Sequence, residues 1–263
     1  MSDFKNKAEG FDEPTQAPKN EAERARWLLT NKQWWENQPM RYDFTDPLST
    51  KEFSEGFYKE IDKRFFEASR CFAPWKRLPF DPIIDFDSLS GKRVLEIGIG
   101  NGSHALLLAQ HSKEFVGIDL TEYAVKSTGR RMEVFGLNNA TIQQMSAEKL
   151  EFPDNHFDFV WSWGVIHHTA DTNAALREIY RVLTPGGSAT LMVYYRSFWY
   201  TYVYAGFFHG VLRGYWLKER SLHSVVQRTI DGAIARFYSF PEWKRAVRAV
   251  GFEVERMEVT SPK

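Results

Sequence analysis

The stretch at residues 93–104 reads R-V-L-E-I-G-I-G-N-G-S-H and constrains the fold more than any other part of the chain. The apolar residues within 93–97 form the short run that is typical of a strand buried on both faces. Three glycines follow at every second position, namely Gly98, Gly100 and Gly102. Glycine adopts positive φ and lets a ligand approach the main chain closely, and residues 105–110 are typical of a buried helix. The stretch therefore predicts a strand, a tight turn and a helix N-terminus that faces a nucleotide-like ligand.

The glycine spacing and a neighbouring acid indicate which ligand this turn suits. In the dinucleotide fingerprint G-x-G-x-x-G the third glycine comes one residue later, where this chain has Ser103. Glu96 stands two residues before Gly98. A carboxylate there would repel a pyrophosphate and suits a ligand with an ammonium group or hydroxyls. A turn without a ligand is the alternative, but three spaced glycines and an acid argue against it.

The composition excludes several classes of protein. The chain has 34 basic and 34 acidic side chains, so no net field attracts nucleic acid or an anionic membrane. Its hydrophobic content of 43% is enough for a packed core, and 263 residues allow one large domain or a domain with appendages. A single cysteine, Cys71, excludes an intramolecular disulfide framework and a cysteine-rich zinc site. The first residues have no apolar signal-peptide core, so we expect a cytoplasmic location.

The N-terminal part predicts a tail and a helical cap before the sheet begins. Residues 1–20 are polar, contain two prolines and are expected to be a disordered tail. Residues 21–82 are expected to form an N-terminal helical cap. Within it we predict one helix at 21–37 and a second at roughly 51–71, which Thr50 could cap.

Strands and helices alternate in the remaining domain, residues 83–263, as they do in a parallel sheet covered by helices on both faces. Strands are predicted at 93–97, 114–120, 140–145, 156–162, 188–195 and 252–259. Helices are predicted at 105–110, from Thr121 onward, at 171–183 with Tyr180 facing inward, and at 240–250. The T-P-G-G sequence at 184–187 predicts a turn. The fold class is therefore α/β.

Asp119 is a candidate ligand for a ribose. It lies 21 residues after Gly98, at the end of the second predicted strand. An acid at this point of such a sheet hydrogen-bonds ribose hydroxyls. Helix capping or a plain surface charge is the alternative, and the position favours the ligand role.

Four motifs in a fixed order carry a resemblance to a known family. They are E-x-G-x-G-x-G at 96–102, Q-M-S-A-E-K-L-E-F-P-D-N-H-F-D-F-V-W-S at 144–162, W-S-W-G-V-I-H-H-T at 161–169 and L-T-P-G-G at 183–187. Together they resemble the class I S-adenosylmethionine-dependent methyltransferases, specifically the small-molecule enzymes related to the ubiquinone and menaquinone methyltransferases. The resemblance covers roughly residues 90–195 and, more weakly, 236–258. It implies a Rossmann-like three-layer sandwich with a mostly parallel central sheet.

The same resemblance implies S-adenosyl-L-methionine as the cofactor and methyl transfer as the reaction, but it does not name the acceptor. By match, Ser146 and Ala147 would contact the adenine, although the family often has aspartate where Ser146 stands. The cofactor-binding residues that the resemblance and the strand ends imply are Glu96, Gly98, Gly100, Gly102, Asp119, Leu120, Ser146, Ala147, Ser162 and Trp163.

Two adjacent histidines follow the fourth predicted strand, at the sheet edge where ligands bind. Transfer to an oxygen or nitrogen atom requires a base, and histidine titrates near neutral pH, so His167 or His168 could be catalytic. A histidine at this point can equally well hydrogen-bond the backbone or pack the loop. Adjacent histidines with no clear carboxylate partner make a poor metal site, so no metal is expected.

An aromatic segment at 194–217 follows the fifth strand and begins an insert that we place at about 196–236. Charged and polar side chains interrupt it, so we exclude a membrane span. Three interpretations stay open: core packing against the N-terminal helices, a lid over an apolar or aromatic acceptor, or contact with a membrane surface or another subunit. Candidate acceptor contacts are Tyr42, Tyr194, Tyr195, Arg196 and His209.

The sequence thus predicts a cytosolic methyltransferase that acts on a small, hydrophobic or aromatic acceptor and not on nucleic acid, which would need a basic surface. A nicotinamide-dependent enzyme and a methyltransferase-like binding module without catalysis are the alternatives. Only T-S-P-K follows residue 259, where the family has a further strand. An exposed sheet edge would favour self-association, so a homo-oligomer is a further expectation.

Overall fold

A five-stranded parallel sheet forms the centre of the computed structural model, which describes residues 17–43, 46–71, 73–219, 221–229 and 233–260. The strands are β1 (Arg93–Ile97), β2 (Glu114–Asp119), β3 (Ala140–Gln144), β4 (Phe157–Trp163) and β5 (Leu183–Met192). Their spatial order is β3-β2-β1-β4-β5, and every pair is parallel. The predicted α/β, Rossmann-like fold is confirmed.

Helices cover the sheet on both faces. They are α1 (Glu21–Asn37), α2 (Glu55–Ser69), α3 (Ser103–His111), α4 (Glu122–Val134), α5 (Thr172–Val182), α6 (Leu222–Arg228) and α7 (Phe240–Ala249). Helix α2 begins later than predicted, because Ser54 and not Thr50 caps it: the Ser54 hydroxyl accepts a hydrogen bond from Phe57 N at 3.2 Å. Thr121 caps α4 as predicted.

The core is divided between the two faces of the sheet because successive strand residues point to opposite sides. On one face Leu95 lies beside Val116, and this cluster continues into α5 and α7. On the other face Val94 lies beside Phe115, and this cluster continues into α3. Burial on both faces explains why β1 is mostly apolar. Glu96 is the one acid in this strand.

Helix α1 lies across the carboxyl ends of the strands, and polar contacts hold it there. The Glu36 carboxylate accepts hydrogen bonds from Glu122 N at 2.8 Å and Tyr123 N at 2.9 Å, at the N-terminus of α4. Arg24 Nε donates to the buried Glu148 carboxylate at 2.9 Å. These long-range contacts place α1 over the edge at which ligands bind in such sheets.

The chain departs from prediction around β5. The predicted turn at 184–187 is a bulge inside the strand, because Phe157 pairs with Leu183 while Phe159 pairs with Ser188. The strand ends at Met192 and not at residue 195. Residues Tyr194–Tyr195 (β6) instead pair with Phe237–Tyr238 (β7) in a separate two-stranded sheet.

Two further predictions, for residues 252–259 and for Tyr180 of α5, are wrong. Residues 252–259 are not a strand: Phe252, Val254 and Met257 pack on the core, but the segment pairs with no strand in the described part of the chain. Tyr180 does not face inward. It is 46% exposed and lies edge-on to Phe252, with ring centroids 5.1 Å apart.

The aromatic insert contains a π-helix, Trp199–Leu212. Its inner face packs mainly against α6, where Ala205 contacts the cluster of Val225 and Val226. Packing against the N-terminal helices, one of the three interpretations, is seen near the end of the insert, where Ile234 packs with Trp27 of α1. In the part of the chain that the structure describes, every helix is too short or too polar to cross a bilayer. The predicted tail at 1–20 lies largely outside the described residues.

Candidate active site

In the glycine turn after β1, the two outer glycines pack closely against side chains and the middle glycine faces open space. A Cβ atom at Gly98, where φ is +81°, would lie 2.2 Å from a methyl group of Val165. A Cβ atom at Gly102, the N-cap of α3, would lie 2.9 Å from the Thr128 hydroxyl. At Gly100, where φ is +52°, no atom lies within 4 Å of the Cβ position. The outer two glycines therefore allow close packing, and the middle one borders a cavity.

That cavity has a volume of about 370 Å³ and lies at the carboxyl ends of the strands. This volume falls within the roughly 300–1,000 Å³ that is typical of ligand pockets. The predicted cofactor-binding residues that line it are Glu96, Gly98, Gly100, Asp119, Leu120, Ser146, Ala147 and Trp163. Gly102 lies beneath the turn, and Ser162 is buried with its hydroxyl donating to Ile97 O at 3.3 Å, so these two do not line the cavity.

Asp119 fixes the turn and retains acceptor capacity for a ligand. Gly100 N donates to one carboxylate oxygen at 3.2 Å, while Thr121 N and Thr121 Oγ1 donate to the other at 3.0 and 2.8 Å. Burial raises the pKa of Asp119, and the bonds from Thr121 oppose that rise. A carboxylate with about four lone-pair sites can still accept from a hydroxyl.

Replacing Asp119 with alanine is expected to weaken S-adenosylhomocysteine binding by about 10- to 100-fold, the usual contribution of one hydrogen bond to a charged group. Titration calorimetry measures this change. Asp154→Ala is the matched control, because the Asp154 carboxylate is 68% exposed and pairs with Arg181 away from the cavity. Equal affinity of the Asp119 variant and the wild type would rule out the ribose contact.

Glu96 and His104 form a buried pair on the cavity wall. His104 Nδ1 lies 3.8 Å from Glu96 Oε1, and within the described residues neither Glu96 Oε2 nor His104 Nε2 has a hydrogen-bond partner. Burial first, and the charge of Asp119 second, raise the pKa of Glu96 well above its ordinary value. Burial, together with the charge of Arg131, lowers the pKa of His104 to about 3. Burial thus favours the neutral form of both side chains, and both residues line the cavity that a ligand would fill.

His104 was not singled out from the sequence. The signal was available, because His104 is the second residue after Gly102 and thus lies in the first turn of α3, beside the glycine turn. Its ring is enclosed by aromatic side chains, with Phe80 at 4.6 Å and Phe65 at 5.1 Å between ring centroids.

The raised pKa of Glu96 gives a testable dependence of stability on pH. The stability that comes from the raised pKa of Glu96 is fully present below about pH 4.3, the pKa of a glutamate in an unfolded chain. This contribution to the free energy of unfolding is lost as pH rises through the higher pKa of the folded state. Between those values the free energy of unfolding should fall by up to about 1.4 kcal/mol per pH unit more in the wild type than in Glu96→Gln. Urea unfolding of the ligand-free proteins across this range measures the difference, and parallel profiles would contradict it.

The two histidines have different surroundings. His168 lines the cavity, and its Nδ1 lies 2.5 Å from Ile234 O. Because a carbonyl only accepts hydrogen bonds, Nδ1 carries the proton and Nε2 carries the lone pair that a base needs. His167 is fully buried between the rings of His168 and Tyr194 and does not line the cavity. Burial lowers the pKa of His167 well below its ordinary value.

Some of the candidate acceptor contacts line the cavity and others do not. Tyr42 and Tyr194 line the cavity. Tyr195 is 45% exposed on β6, Arg196 forms an ion pair with Glu242, and His209 is buried in the π-helix; none of the three lines the cavity. Apolar wall residues that the sequence did not reveal include Leu28, Trp35, Met40, Phe65 and Met192.

Comparison with known proteins gives the family. A sequence model of the methyltransferase domain matches residues 95–191, the segment from β1 to β5 that holds the glycine turn and Asp119. Residues 95–191 form a class I S-adenosylmethionine-dependent methyltransferase domain. The recognition from the four sequence motifs is thereby confirmed.

Proteins that are similar to this domain in sequence are also named as methyltransferases. The uncharacterized methyltransferase YcgJ of Bacillus subtilis is 37% identical over 103 residues, which are 39% of this chain and 41% of that protein. The demethylmenaquinone methyltransferase of Geobacillus kaustophilus is 33% identical over 100 residues, 37% of this chain and 43% of that protein. The chain thus spans less than half the length of these curated relatives.

One solved structure supports the fold alone. An S-adenosylmethionine-dependent methyltransferase from Mesorhizobium loti superposes with a TM-score of 0.51 at 18% identity, over 66% of this chain and 80% of that one.

S-adenosylmethionine is the cofactor of this family, and the residues of the methyltransferase domain fit it. The open space over Gly100 accepts a ligand against the main chain, and the unpartnered, buried Glu96 Oε2 suits the cationic methionine end of such a ligand. Asp119 offers acceptors for hydroxyls. The same acid beside the turn disfavours the pyrophosphate of a nicotinamide cofactor.

Proposed function

We propose that the chain transfers the methyl group of S-adenosylmethionine to a small, hydrophobic or aromatic acceptor. The observation that carries this proposal is the lining of the cavity. One set of residues, around the glycine turn and Asp119, is polar or offers main-chain atoms. Another set, from α1, α2 and the end of β4, is apolar and aromatic and includes Trp35, Phe65 and Trp163.

The polar residues hold the cofactor in this proposal. Asp119 accepts hydrogen bonds from ribose hydroxyls, Ser146 and Ala147 contact the adenine, and Glu96 faces the cationic end. When bound, the cofactor supplies an electrophilic methyl group on a sulfonium. Burial raises the pKa of Glu96 in the ligand-free chain, and the carboxyl ionises more readily beside that positive charge.

The apolar residues position the acceptor and exclude water. Trp35 lies edge-on to His168 with ring centroids 5.1 Å apart, so an aromatic acceptor resting against Trp35 would lie next to the histidine. Because sulfonium is a good leaving group, correct placement of the acceptor atom supplies much of the rate acceleration. A cation that becomes neutral in the reaction also favours a site without water.

His168 is the base for an acceptor oxygen or nitrogen in this proposal. The hydrogen bond from Nδ1 to Ile234 O holds the ring, and Nε2 takes the acceptor proton as the new bond to the methyl carbon forms. His167 packs behind it and supports the loop. This assignment favours one of the two roles that the sequence left open.

Two further observations support a small apolar acceptor. The demethylmenaquinone methyltransferase among the relatives is named for a hydrophobic quinone. The equal numbers of acidic and basic residues give no field that would attract a nucleic acid.

Methyl transfer is tested by incubating the purified chain with methyl-labelled S-adenosylmethionine and a panel of acceptors. The panel contains phenols, quinols and alkyl amines, with transfer RNA and a protein lysate as polymeric acceptors. We expect S-adenosylhomocysteine formation and label transfer with an apolar small molecule. Label that enters only RNA or polypeptide would overturn the proposal.

A further inference from the structure

The outer face of the π-helix and the turn after it expose an unusual amount of apolar surface. We call this surface the aromatic face. Its members that are more than half exposed are Phe198, Trp199, Phe207, Val211, Leu212 and Leu217. Leu217 is 91% exposed and Trp199 is 72% exposed. Contiguous exposed patches of this kind mark interaction surfaces rather than ordinary protein surface.

The aromatic face is not explained by the proposed active site. Of the described residues that line the cavity, none belongs to the π-helix or to the turn that follows it. The inner face of the helix is already used, because Ala205 packs on α6. The outer residues therefore contact neither the cavity nor the core.

Charge on the aromatic face has a single sign. Residues 197–218 contain Arg213 and Lys218 but no aspartate or glutamate. The Arg213 guanidinium lies 4.9 Å from the ring centroid of Phe208, so the cation sits beside the aromatic side chains. Within the described residues neither Arg213 nor Lys218 forms an ion pair.

We propose that the aromatic face docks the protein on the surface of an anionic phospholipid bilayer. Tryptophan, tyrosine and phenylalanine side chains favour the boundary between lipid headgroups and acyl chains, and basic residues beside them favour anionic lipid. The helix lies in that boundary and does not cross the bilayer, because it is too short.

The single sign of charge argues against a second copy of the chain as the occupant. In a two-fold symmetric dimer the aromatic face would meet itself. Arg213 and Lys218 would then approach the same cations of the partner, with no acid between residues 197 and 218 to compensate. An anionic bilayer offers acyl chains to the apolar side chains and negatively charged headgroups to the cations.

One residue, Tyr194, connects the cavity with the apolar cluster on which the π-helix packs. Tyr194 lines the cavity and belongs to the apolar cluster that holds the π-helix, together with Tyr200 and Phe237. A docked molecule would thus have its cavity near the lipid phase, in which hydrophobic small molecules dissolve. Docking itself does not depend on methyl transfer, and the two can fail separately.

Co-sedimentation of the full chain with sucrose-loaded vesicles tests the proposal. Vesicles of mixed phosphatidylcholine and phosphatidylglycerol are compared with vesicles of phosphatidylcholine alone, at low and high salt. We expect binding to the anionic vesicles that falls at high salt. Trp199→Ser should weaken it by about tenfold through lost apolar burial, and Arg213→Gln and Lys218→Gln by about fivefold each.

Leu29→Ser is the matched control, because Leu29 is 56% exposed on α1, away from the aromatic face. It should bind as the wild type does, and thermal melts should show every variant folded. A chain that stays in the supernatant with both vesicles would overturn the proposal. So would a dimer in sedimentation equilibrium that Trp199→Ser dissociates, since the face would then join two copies.

Discussion

Replacing Gly100 with leucine is expected to abolish cofactor binding while the chain stays folded. No atom lies within 4 Å of the Cβ position at Gly100, so the new Cβ atom meets no protein neighbour, and Gly100 itself lines the cavity. The positive φ costs about 1–2 kcal/mol of stability for a residue other than glycine. Overlap with the ligand should weaken S-adenosylhomocysteine binding by at least about 100-fold.

Gly91 provides the control for backbone strain. Its φ is +80°, its Cβ position is also open, and it lies away from the cavity. Gly91→Leu should therefore lose similar stability in thermal melts but keep its affinity in calorimetry. If Gly100→Leu bound the ligand as tightly as Gly91→Leu, the space over the turn would not be the cofactor site.

Replacing His168 with glutamine is expected to lower kcat by about 10²- to 10⁴-fold with an oxygen or nitrogen acceptor, which is the usual contribution of a general base. Cofactor affinity should change little, because His168 belongs to the acceptor side of the cavity in this proposal. Steady-state kinetics with the acceptor found in the panel, together with calorimetry, separates the two effects.

His111→Gln is the control for His168→Gln. One ring nitrogen of His111 also contacts a backbone carbonyl, Leu107 O at 2.8 Å, but His111 does not line the cavity. This variant should keep its turnover. Full activity of His168→Gln would show that the histidine only packs the loop.

The part of the site that could be predicted from sequence lies on continuous local motifs. The glycine turn follows directly after β1, and Asp119 ends β2, so the parallel register brings them together: Gly100 N donates to Asp119. Such contacts follow from any parallel sheet in which these strands are neighbours. Spacing and chemistry along the chain were enough to predict them.

The residues that were predicted poorly depend on contacts distant in sequence. Tyr194 and Tyr195 point to different surroundings because β6 pairs with β7, more than forty residues later. His104 lies beside the glycine turn, as its place in the sequence indicates, but Phe80 and Phe65 of the N-terminal region enclose its ring, and that environment was not predicted. No local pattern contains these pairings.

The segment at 252–259 illustrates a related limit. The sequence predicted a strand, and Phe252, Val254 and Met257 do pack on the core. A strand also needs a hydrogen-bonded neighbour, and apolar side chains alone do not supply one. The N-cap of α2 differs for a simpler reason: Thr50 and Ser54 are both suitable capping residues, and the helix begins at the second.

Isothermal titration with S-adenosylhomocysteine, with NADH as the control ligand, tests most directly whether the cavity over the glycine turn is a methyltransferase cofactor site. We predict saturable binding of S-adenosylhomocysteine and none of NADH, with the binding lost in Gly100→Leu and kept in Gly91→Leu. Binding of NADH instead, or binding of S-adenosylhomocysteine that Gly100→Leu leaves unchanged, would contradict the assignment.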